Sequence, residues 1–183
     1  MKHTAWIQTH SGRKLDLLDP QPDQIDIGDI ALGLSRTARW NGQTGALLTV
    51  AQHSLMVSEN VPPAYALPAL LHDASEYVLG DLPTPLKDLC TDYRRVEERL
   101  QSAIYRKFWW AEEQDLSFDL MQSVVRRADA RVLATEYRDL HPHKLFDIPA
   151  APFDWHINGL MDPASAEVAF LERFWALYGG GDD

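Results

Sequence analysis

The chain has 183 residues, of which 45% are hydrophobic and 24% are charged, and this composition predicts one globular domain with a substantial core. Its formal net charge is −10 and no run of Lys or Arg exceeds two residues, which argues against a nucleic-acid polymer as partner. No stretch reaches the roughly 20 apolar residues of a membrane span, no secretory segment opens the chain, and the single cysteine, Cys90, cannot form an internal disulfide. These features predict a cytoplasmic protein without a membrane partner.

The chain order predicts a single domain over residues 1–183, with a turn-rich N-terminal extension over residues 1–25 and a flexible tail over residues 179–183. Within the extension, the segment Ser11–Lys14 contains Ser and Gly between two apolar stretches. That composition is typical of a tight hairpin turn.

The first predicted helix leads into a loop with a cation and a large aromatic ring. The helix should run from Ile27 to about Thr37, because Asp26 is suited to cap its N-terminus. Beyond it, Arg39 and Trp40 precede an Asn-Gly turn signal. Two interpretations of this pair stay open: an exposed arginine beside a core tryptophan, or a phosphate clamp beside an aromatic wall for a base or sugar.

A second helix is predicted over Val50–Asn60, with Thr49 as its N-cap. Its apolar positions are interrupted by His53. A histidine in such a helix is either a structural residue of the core or a ligand, and the helix alone does not distinguish the two.

The third predicted helix, from about Tyr65 to Leu79, carries His72, Asp73 and Glu76 beside an apolar stripe. In a regular helix His72 and Glu76 project from one face, and Asp73 lies about 100° round the axis. Gly80 is a plausible end of this helix.

A fourth ionisable group, Asp81, lies on the loop beyond that helix, where Pro83 and Pro85 prevent the helix from resuming. These four ionisable groups fall within one stretch of ten residues, on or beside an apolar helix, and they are costly to bury unless something compensates them. A divalent cation would do so. The alternative is a core histidine with solvated carboxylates.

Two long helices should follow. Thr91–Trp110 is amphipathic, and we expect its charged residues to form a solvated face: Arg94, Glu97, Glu98 and Arg99. In the helix over Phe118–Leu140, Asp129 falls within the apolar pattern, and Glu136 follows two turns later on nearly the same face. A buried salt bridge between Asp129 and an arginine is one interpretation, and metal ligation is the other.

The C-terminal part is predicted to contain an irregular segment over residues 141–162, rich in Pro and His, and a last helix over Ala164–Tyr178 that follows Pro163. The inward side chains of this helix are predicted to be Val168, Leu171, Phe174 and Trp175.

Taken together, His53, the His72–Asp73 pair and the distant Asp129 resemble the metal-binding pattern of the HD-domain phosphohydrolase superfamily. The segment Val50–Ser54 resembles the first-histidine motif of that superfamily, and Leu71–Glu76 and Gly80–Lys87 are similar to the core of its bacterial 5′-deoxyribonucleotidase branch. The resemblance implies an all-α fold, an HD-domain bundle of about five to seven helices. It also implies one divalent metal ion (Mn, Co, Fe or Zn) held by four ligands: His53, His72, Asp73 and Asp129. Imidazole and carboxylate ligands suit such ions.

The same resemblance implies an activity, the removal of the 5′-phosphate from (deoxy)ribonucleoside monophosphates. It assigns proton transfer and water positioning to Glu76, and protonation or orientation of the leaving group to Asp81, although the sequence does not decide which carboxylate has which role. It implies a small-molecule nucleotide substrate in contact with Arg39, Trp40, Leu82, Pro83, Thr84 and, more weakly, Lys87, and it is compatible with a homodimer.

Two other functions are considered. A phosphodiesterase or pyrophosphohydrolase of a cyclic or signalling nucleotide could use such a site, although a two-metal enzyme would carry a further paired-histidine motif that this chain lacks. A non-catalytic nucleotide-sensing module would keep the fold, but Glu76 and Asp81 argue against it.

Overall fold

A computed structural model describes residues 5–109 and 117–179, and within them the chain is mainly helical. The strands β1 (Trp6–Gln8) and β2 (Lys14–Asp16) form one antiparallel hairpin in which Ile7 pairs with Leu15. The helices are α1 (Ile27–Arg36), α2 (Val50–Glu59), α3 (Ala66–Leu70), α4 (Glu76–Leu79), α5 (Thr84–Lys87), α6 (Thr91–Phe108), α7 (Phe118–Leu140) and α8 (Pro163–Tyr178). The predicted all-α class and the N-terminal hairpin are therefore confirmed.

Three of the predicted helix starts have side-chain caps. The Asp26 carboxylate accepts the backbone N–H of Gly28 at the start of α1, and the Thr49 hydroxyl accepts that of Gln52 at the start of α2. Asp162 caps α8 in the same way, with Pro163 in the first turn. These contacts occupy amide groups that a helix N-terminus leaves unpaired, so the local sequence was enough to place all three starts.

The predicted third helix is wrong as a single helix, because it is broken between α3 and α4. The amides of Ala74 and Glu76 donate to carbonyls three residues back, at 3.0 Å each, which is the tighter 3₁₀ pattern. The His72 side chain contributes to the break, since its Nδ1 bonds to the Ala69 carbonyl at 2.8 Å. This break, together with the helical turn α5 in the proline-containing loop, gives eight α-helices in the described residues instead of five to seven.

The core lies where α1, α2 and α8 meet, with α3, α4 and α7 packed around them. In α8 the inward face is Ala166, Phe170 and Phe174, which recur every four residues and are fully buried. The inward positions predicted for Val168 and Trp175 are wrong: both are 55% exposed, because they lie on the opposite side of the helix from that buried row.

Glycine permits a close backbone approach between α1 and α4. A Cβ atom on Gly33 would lie 2.4 Å from the carbonyl oxygen of Tyr77 and 2.9 Å from its Cα. We expect Gly33→Ala to lower the free energy of unfolding by about 1–3 kcal/mol, because the rigid backbone of α4 would have to move. Denaturant unfolding measures this, with Gly159→Ala as the control, since a Cβ there meets nothing within 4 Å. Equal stability of the two variants would show that α4 moves freely.

The predicted irregular segment over residues 141–162 is confirmed, and the end of α7 holds it in place. The Tyr137 hydroxyl accepts the backbone N–H of Leu145 at 2.6 Å. Arg138 donates to the carbonyls of Phe153 and Trp155 at 2.7 Å each, and Asp139 accepts the N–H of Ile157 at 2.9 Å. The segment is therefore fixed relative to α7.

Some predictions fall on residues outside the described part of the chain: residues 1–4 of the N-terminal extension, Trp110 at the end of the amphipathic helix, and residues 180–183 of the tail. Among the helices that the structure does describe, none combines the length and apolarity needed to cross a membrane.

Candidate metal centre and adjoining cavity

Three predicted ligands meet at one point, although they come from α2, from the turn after α3 and from α7. The Nε2 atoms of His53 and His72 lie 3.3 Å apart. The Oδ1 atom of Asp129 lies 3.2 Å from the first and 3.8 Å from the second. The potential ligand atoms of these three residues all fall within 4.8 Å of one another, so the cluster could hold a metal ion.

The fourth predicted ligand, Asp73, adjoins the same cluster. Its Oδ2 atom lies 3.2 Å from Nε2 of His72 and 3.5 Å from Nε2 of His53. Two ligand atoms bound at about 2.1 Å to one ion, with an angle of 90–110° between them, are about 3.0–3.4 Å apart. The spacings of these side chains are therefore close to those that a single ion requires.

Hydrogen bonds orient both imidazole rings toward the cluster. The Ala69 carbonyl can only accept, so the proton of His72 is on Nδ1 when the ring is neutral, and the lone pair of Nε2 is available to a metal. His53 is held in the same way, because its Nδ1 donates to the Glu136 carboxylate at 2.6 Å. Metal-binding histidines are typically fixed by such contacts.

The charges of the centre favour a cation. Burial lowers the pKa of His72, but the carboxylates of Asp73 and Asp129 outweigh it and hold that pKa well above its ordinary value. Burial raises the pKa of Asp129, yet hydrogen bonds from His53 and His72 bring it well below its ordinary value. Positive charge, whether carried by protons or by an ion, is therefore stabilised at this point. A bound metal would displace protons from the imidazoles.

The interpretation in which Asp129 forms a salt bridge with an arginine is wrong. Its ion-pair partners within the described residues are His53 and His72. His53 is fully buried, as the structural interpretation predicts, and its two nitrogens lie beside Glu136 and His72, so that Nε2 faces the cluster.

Glu136 is the residue of the centre whose role the sequence did not reveal. It is fully buried and receives a hydrogen bond from Nε1 of Trp40 at 2.9 Å, besides the one from His53. Its Oε2 atom also lies 3.7 Å from the Arg39 guanidinium. The only sequence signal was its position two turns after Asp129 on the same helix. Glu136 thus connects the candidate metal centre to the Arg39–Trp40 pair.

We expect Glu136→Gln to weaken metal binding about 10–100-fold, because the variant loses the charged acceptor that fixes the His53 ring. Titration of the metal-free protein with Mn²⁺ or Zn²⁺, followed by calorimetry, measures the change. Glu59→Gln is the matched control, since Glu59 is exposed at the end of the helix that carries His53. Unchanged metal affinity in Glu136→Gln would contradict the orienting role.

A cavity of about 450 Å³ adjoins the centre and brings the predicted substrate residues together. Asp73 and Asp129 line it together with the two predicted catalytic carboxylates, Glu76 and Asp81. The lining also contains every residue predicted to contact a substrate, together with part of the irregular segment: Arg39, Trp40, Leu82, Pro83, Thr84, Lys87, Phe146, Asp147, Ile148 and Pro149.

Arg39 is a buried cation at the edge of this cavity. Its guanidinium lies 3.4 Å from Asp81 and 3.6 Å from Asp73. The next two residues, Trp40 and Asn41, both have left-handed backbone angles, with φ of 57° and 50°. Such angles are strained for residues other than glycine and recur at functional sites, where surrounding contacts maintain them. The exposed-arginine interpretation is therefore wrong.

Glu76 is a buried residue of the cavity lining, and its pKa is shifted in the opposite direction from those of Asp73 and Asp129. Burial raises its pKa to about 9, and the negative charges of Asp73 and Asp81 add to that effect. One oxygen, Oε1, accepts a hydrogen bond from Lys87 at 3.2 Å, whereas Oε2 has no hydrogen-bond partner in the described residues. Because the helix is broken between α3 and α4, His72 and Glu76 do not share one helix face as expected. Glu76 lines this cavity, whereas His72 does not.

Glu97, which was expected on a solvated face of α6, instead contacts a residue of the cavity lining. Glu97 on α6 accepts a hydrogen bond from Lys87 at 2.6 Å, and its side chain is only 20% exposed. The prediction of a fully solvated charged face on α6 is therefore wrong for this residue.

No protein-family model matches the chain. The chain is 38% identical over 176 residues to the uncharacterized protein YfdR of Escherichia coli K12, and the match covers 93% of this chain and 94% of that protein. It is 47% identical over 114 residues to an uncharacterized protein of Rhodobacter capsulatus, with 57% of this chain and 58% of the relative covered. The chain thus spans less than two thirds of the Rhodobacter protein.

Proposed function

This chain belongs to the family of the Escherichia coli protein YfdR, and we propose that it is a metal-dependent phosphohydrolase of the HD-domain superfamily. Its substrate is proposed to be a (deoxy)ribonucleoside 5′-monophosphate. The observation that carries the proposal is the convergence of His53, His72 and Asp129 on one point beside a cavity that contains a buried arginine.

His53, His72, Asp73 and Asp129 would hold one divalent ion, and their nitrogen and oxygen atoms suit Mn, Co, Fe or Zn. When bound, such an ion lowers the pKa of water and offsets negative charge on a phosphoryl group. A ligand set without cysteine fits a catalytic centre better than a structural zinc site.

The chain's own residues would position the phosphate and move two protons. Arg39 would bind the phosphate oxygens, since a guanidinium matches their geometry. A water oxygen attacks phosphorus as the bond from phosphorus to the 5′-oxygen breaks. Of the pair Glu76 and Asp81, one accepts the proton of the water and the other donates a proton to the departing 5′-oxygen. Both carboxylates line the cavity beside Asp73, within reach of such a substrate.

The nucleoside would occupy the outer part of the cavity, between Trp40 and the segment Phe146–Pro149. The ring of Tyr137 stacks on both Trp40 and Phe146, with centroid distances of 5.9 and 4.6 Å. This stack gives the cavity an aromatic side suited to the face of a base or sugar. The volume of about 450 Å³ lies within the range of small-molecule sites.

One observation favours a second candidate, a phosphodiesterase or pyrophosphohydrolase. Another cavity, of about 360 Å³, also reaches Asp73, Lys87 and Asp129 but is otherwise lined mainly from α6 and α7. A phosphate group bound at the centre could therefore carry two substituents, one in each cavity, as a phosphodiester or a pyrophosphate does.

One assay separates these functions. The purified protein is stripped with a chelator, reloaded with Mn²⁺ or Co²⁺, and offered deoxy- and ribonucleoside monophosphates, cyclic nucleotides and nucleoside triphosphates. Phosphate release from the monophosphates, abolished by Asp73→Ala, supports the monoesterase. Conversion of a cyclic nucleotide or a triphosphate without monophosphate hydrolysis supports the second candidate. Tight nucleotide binding without turnover would contradict both and indicate a sensing module.

A further inference from the structure

We propose that Glu97 is a positioning residue that acts on Glu76 through Lys87. This inference rests on the proposed function for its catalytic meaning, but the contacts that carry it are independent of it. It changes the expected role of Lys87 from a cation for the substrate to a support for a catalytic carboxylate.

The three side chains form a continuous chain of hydrogen bonds from α4 through α5 to α6. The Lys87 ammonium donates to Oε1 of Glu76 at 3.2 Å and to Oε1 of Glu97 at 2.6 Å. The side chains of Glu76, Lys87 and Glu97 are 3%, 20% and 20% exposed, so water screens these contacts little. Hydrogen bonds donated by a charged ammonium in such surroundings are among the strong ones in proteins.

The arrangement leaves one oxygen of Glu76 free to act. Because Lys87 holds Oε1, the carboxylate cannot rotate freely, and Oε2 remains without a partner in a cavity-lining residue. A buried polar atom without a partner costs free energy. A water molecule or a substrate proton would satisfy it.

Glu97 is needed because the Lys87 ammonium lines the same cavity as Glu76, where an anionic substrate would compete for it. Without a second carboxylate, a phosphate dianion would attract the Lys87 side chain away from Glu76. Glu97 opposes that displacement, because its carboxylate holds the ammonium from the 18-residue helix α6.

The same helix also fixes the other end of the catalytic loop. Tyr93, one turn before Glu97, donates its hydroxyl to the Gly80 carbonyl at 2.8 Å. Gly80 directly precedes Asp81, and Lys87 follows six residues later. α6 therefore holds the loop that carries Asp81 at both ends.

The first test compares Glu97→Gln with Asp92→Asn, a matched control whose side chain on α6 is 94% exposed. Gln keeps the length and an acceptor oxygen but loses the charge. We expect kcat of Glu97→Gln on nucleoside monophosphates to fall about 10–100-fold, as for other residues that orient a catalytic group. We expect KM, metal content and melting temperature to stay near the wild-type values. An unchanged kcat in an active enzyme overturns the proposal. A raised KM with unchanged kcat overturns it too, since Lys87 would then contact the substrate.

A double-mutant cycle that combines Glu97→Gln with Lys87→Met tests whether Glu97 acts through Lys87. If Glu97 acts only through Lys87, the double variant is no slower than Lys87→Met alone. Additive losses overturn the proposal.

The contact itself is tested without turnover, by NMR of protein labelled with ¹³C at the lysine Cε, in which the Lys87 signal is assigned by its loss in Lys87→Met. The signal should shift in Glu97→Gln and Glu76→Gln but not in Asp92→Asn. An unshifted signal in Glu97→Gln overturns the proposal.

A wild-type protein that hydrolyses nothing in the substrate panel refutes the proposed function and, with it, the catalytic role of this contact. An active wild type with an unaffected Glu97→Gln variant refutes the positioning role alone.

Discussion

Replacement of Asp129 by alanine is expected to abolish metal binding and phosphate release together. Its carboxylate contacts both histidines of the centre, at 3.2 and 3.8 Å, and alanine offers no substitute ligand. A metal ion contributes several kcal/mol of transition-state stabilisation, so we expect kcat/KM to fall by about a thousandfold or more. Metal content by mass spectrometry and phosphate release by a colorimetric assay measure the two effects.

The control for this experiment is Asp119→Ala, because Asp119 is an exposed carboxylate at the start of the same helix. Its variant should retain both metal and activity. If Asp129→Ala still bound metal as the wild type does, the ligand set given above would be wrong. Loss of activity with metal retained would move Asp129 from the ligands to the substrate contacts.

Replacement of Arg39 by alanine is expected to remove catalysis but not the metal. Its guanidinium is buried in the cavity wall and lies beside Asp73 and Asp81, yet it supplies no metal ligand. Arginines that stabilise charge on a transferring phosphoryl group are worth about a thousandfold or more in rate. We therefore expect kcat/KM to fall by about that factor and inhibition by inorganic phosphate to weaken in parallel.

Two further variants make this result specific. Arg36→Ala removes an exposed arginine from the end of α1 and should behave as the wild type does. Arg39→Lys keeps the charge but not the two-pronged geometry and should recover only part of the activity. Loss of metal from Arg39→Ala would contradict the role of a phosphate clamp, because it would show that Arg39 mainly maintains the centre.

Local signals predicted the parts of the fold that depend on neighbouring residues. Asp26 and Thr49 marked two helix starts because capping needs only the next few amides. α7 was predicted with its observed bounds, since its apolar periodicity spans more than six turns. The break between α3 and α4 was missed, because the competing hydrogen bond from His72 to the Ala69 carbonyl leaves no mark on that periodicity.

The candidate centre, too, has features that the sequence predicted and features that only the structure revealed. The sequence by itself determined which residues have the chemistry of ligands, since imidazoles and carboxylates inside apolar helices are costly without a cation. Only the tertiary structure decided which side chains support them and the neighbouring Glu76: Glu136 lies 83 positions from His53, and Glu97 comes from the charged face of α6. The physical reason is the separation along the chain of the residues that interact. A helix and its caps are decided within a few residues, whereas a hydrogen bond of about 3 Å between helices depends on how whole elements pack.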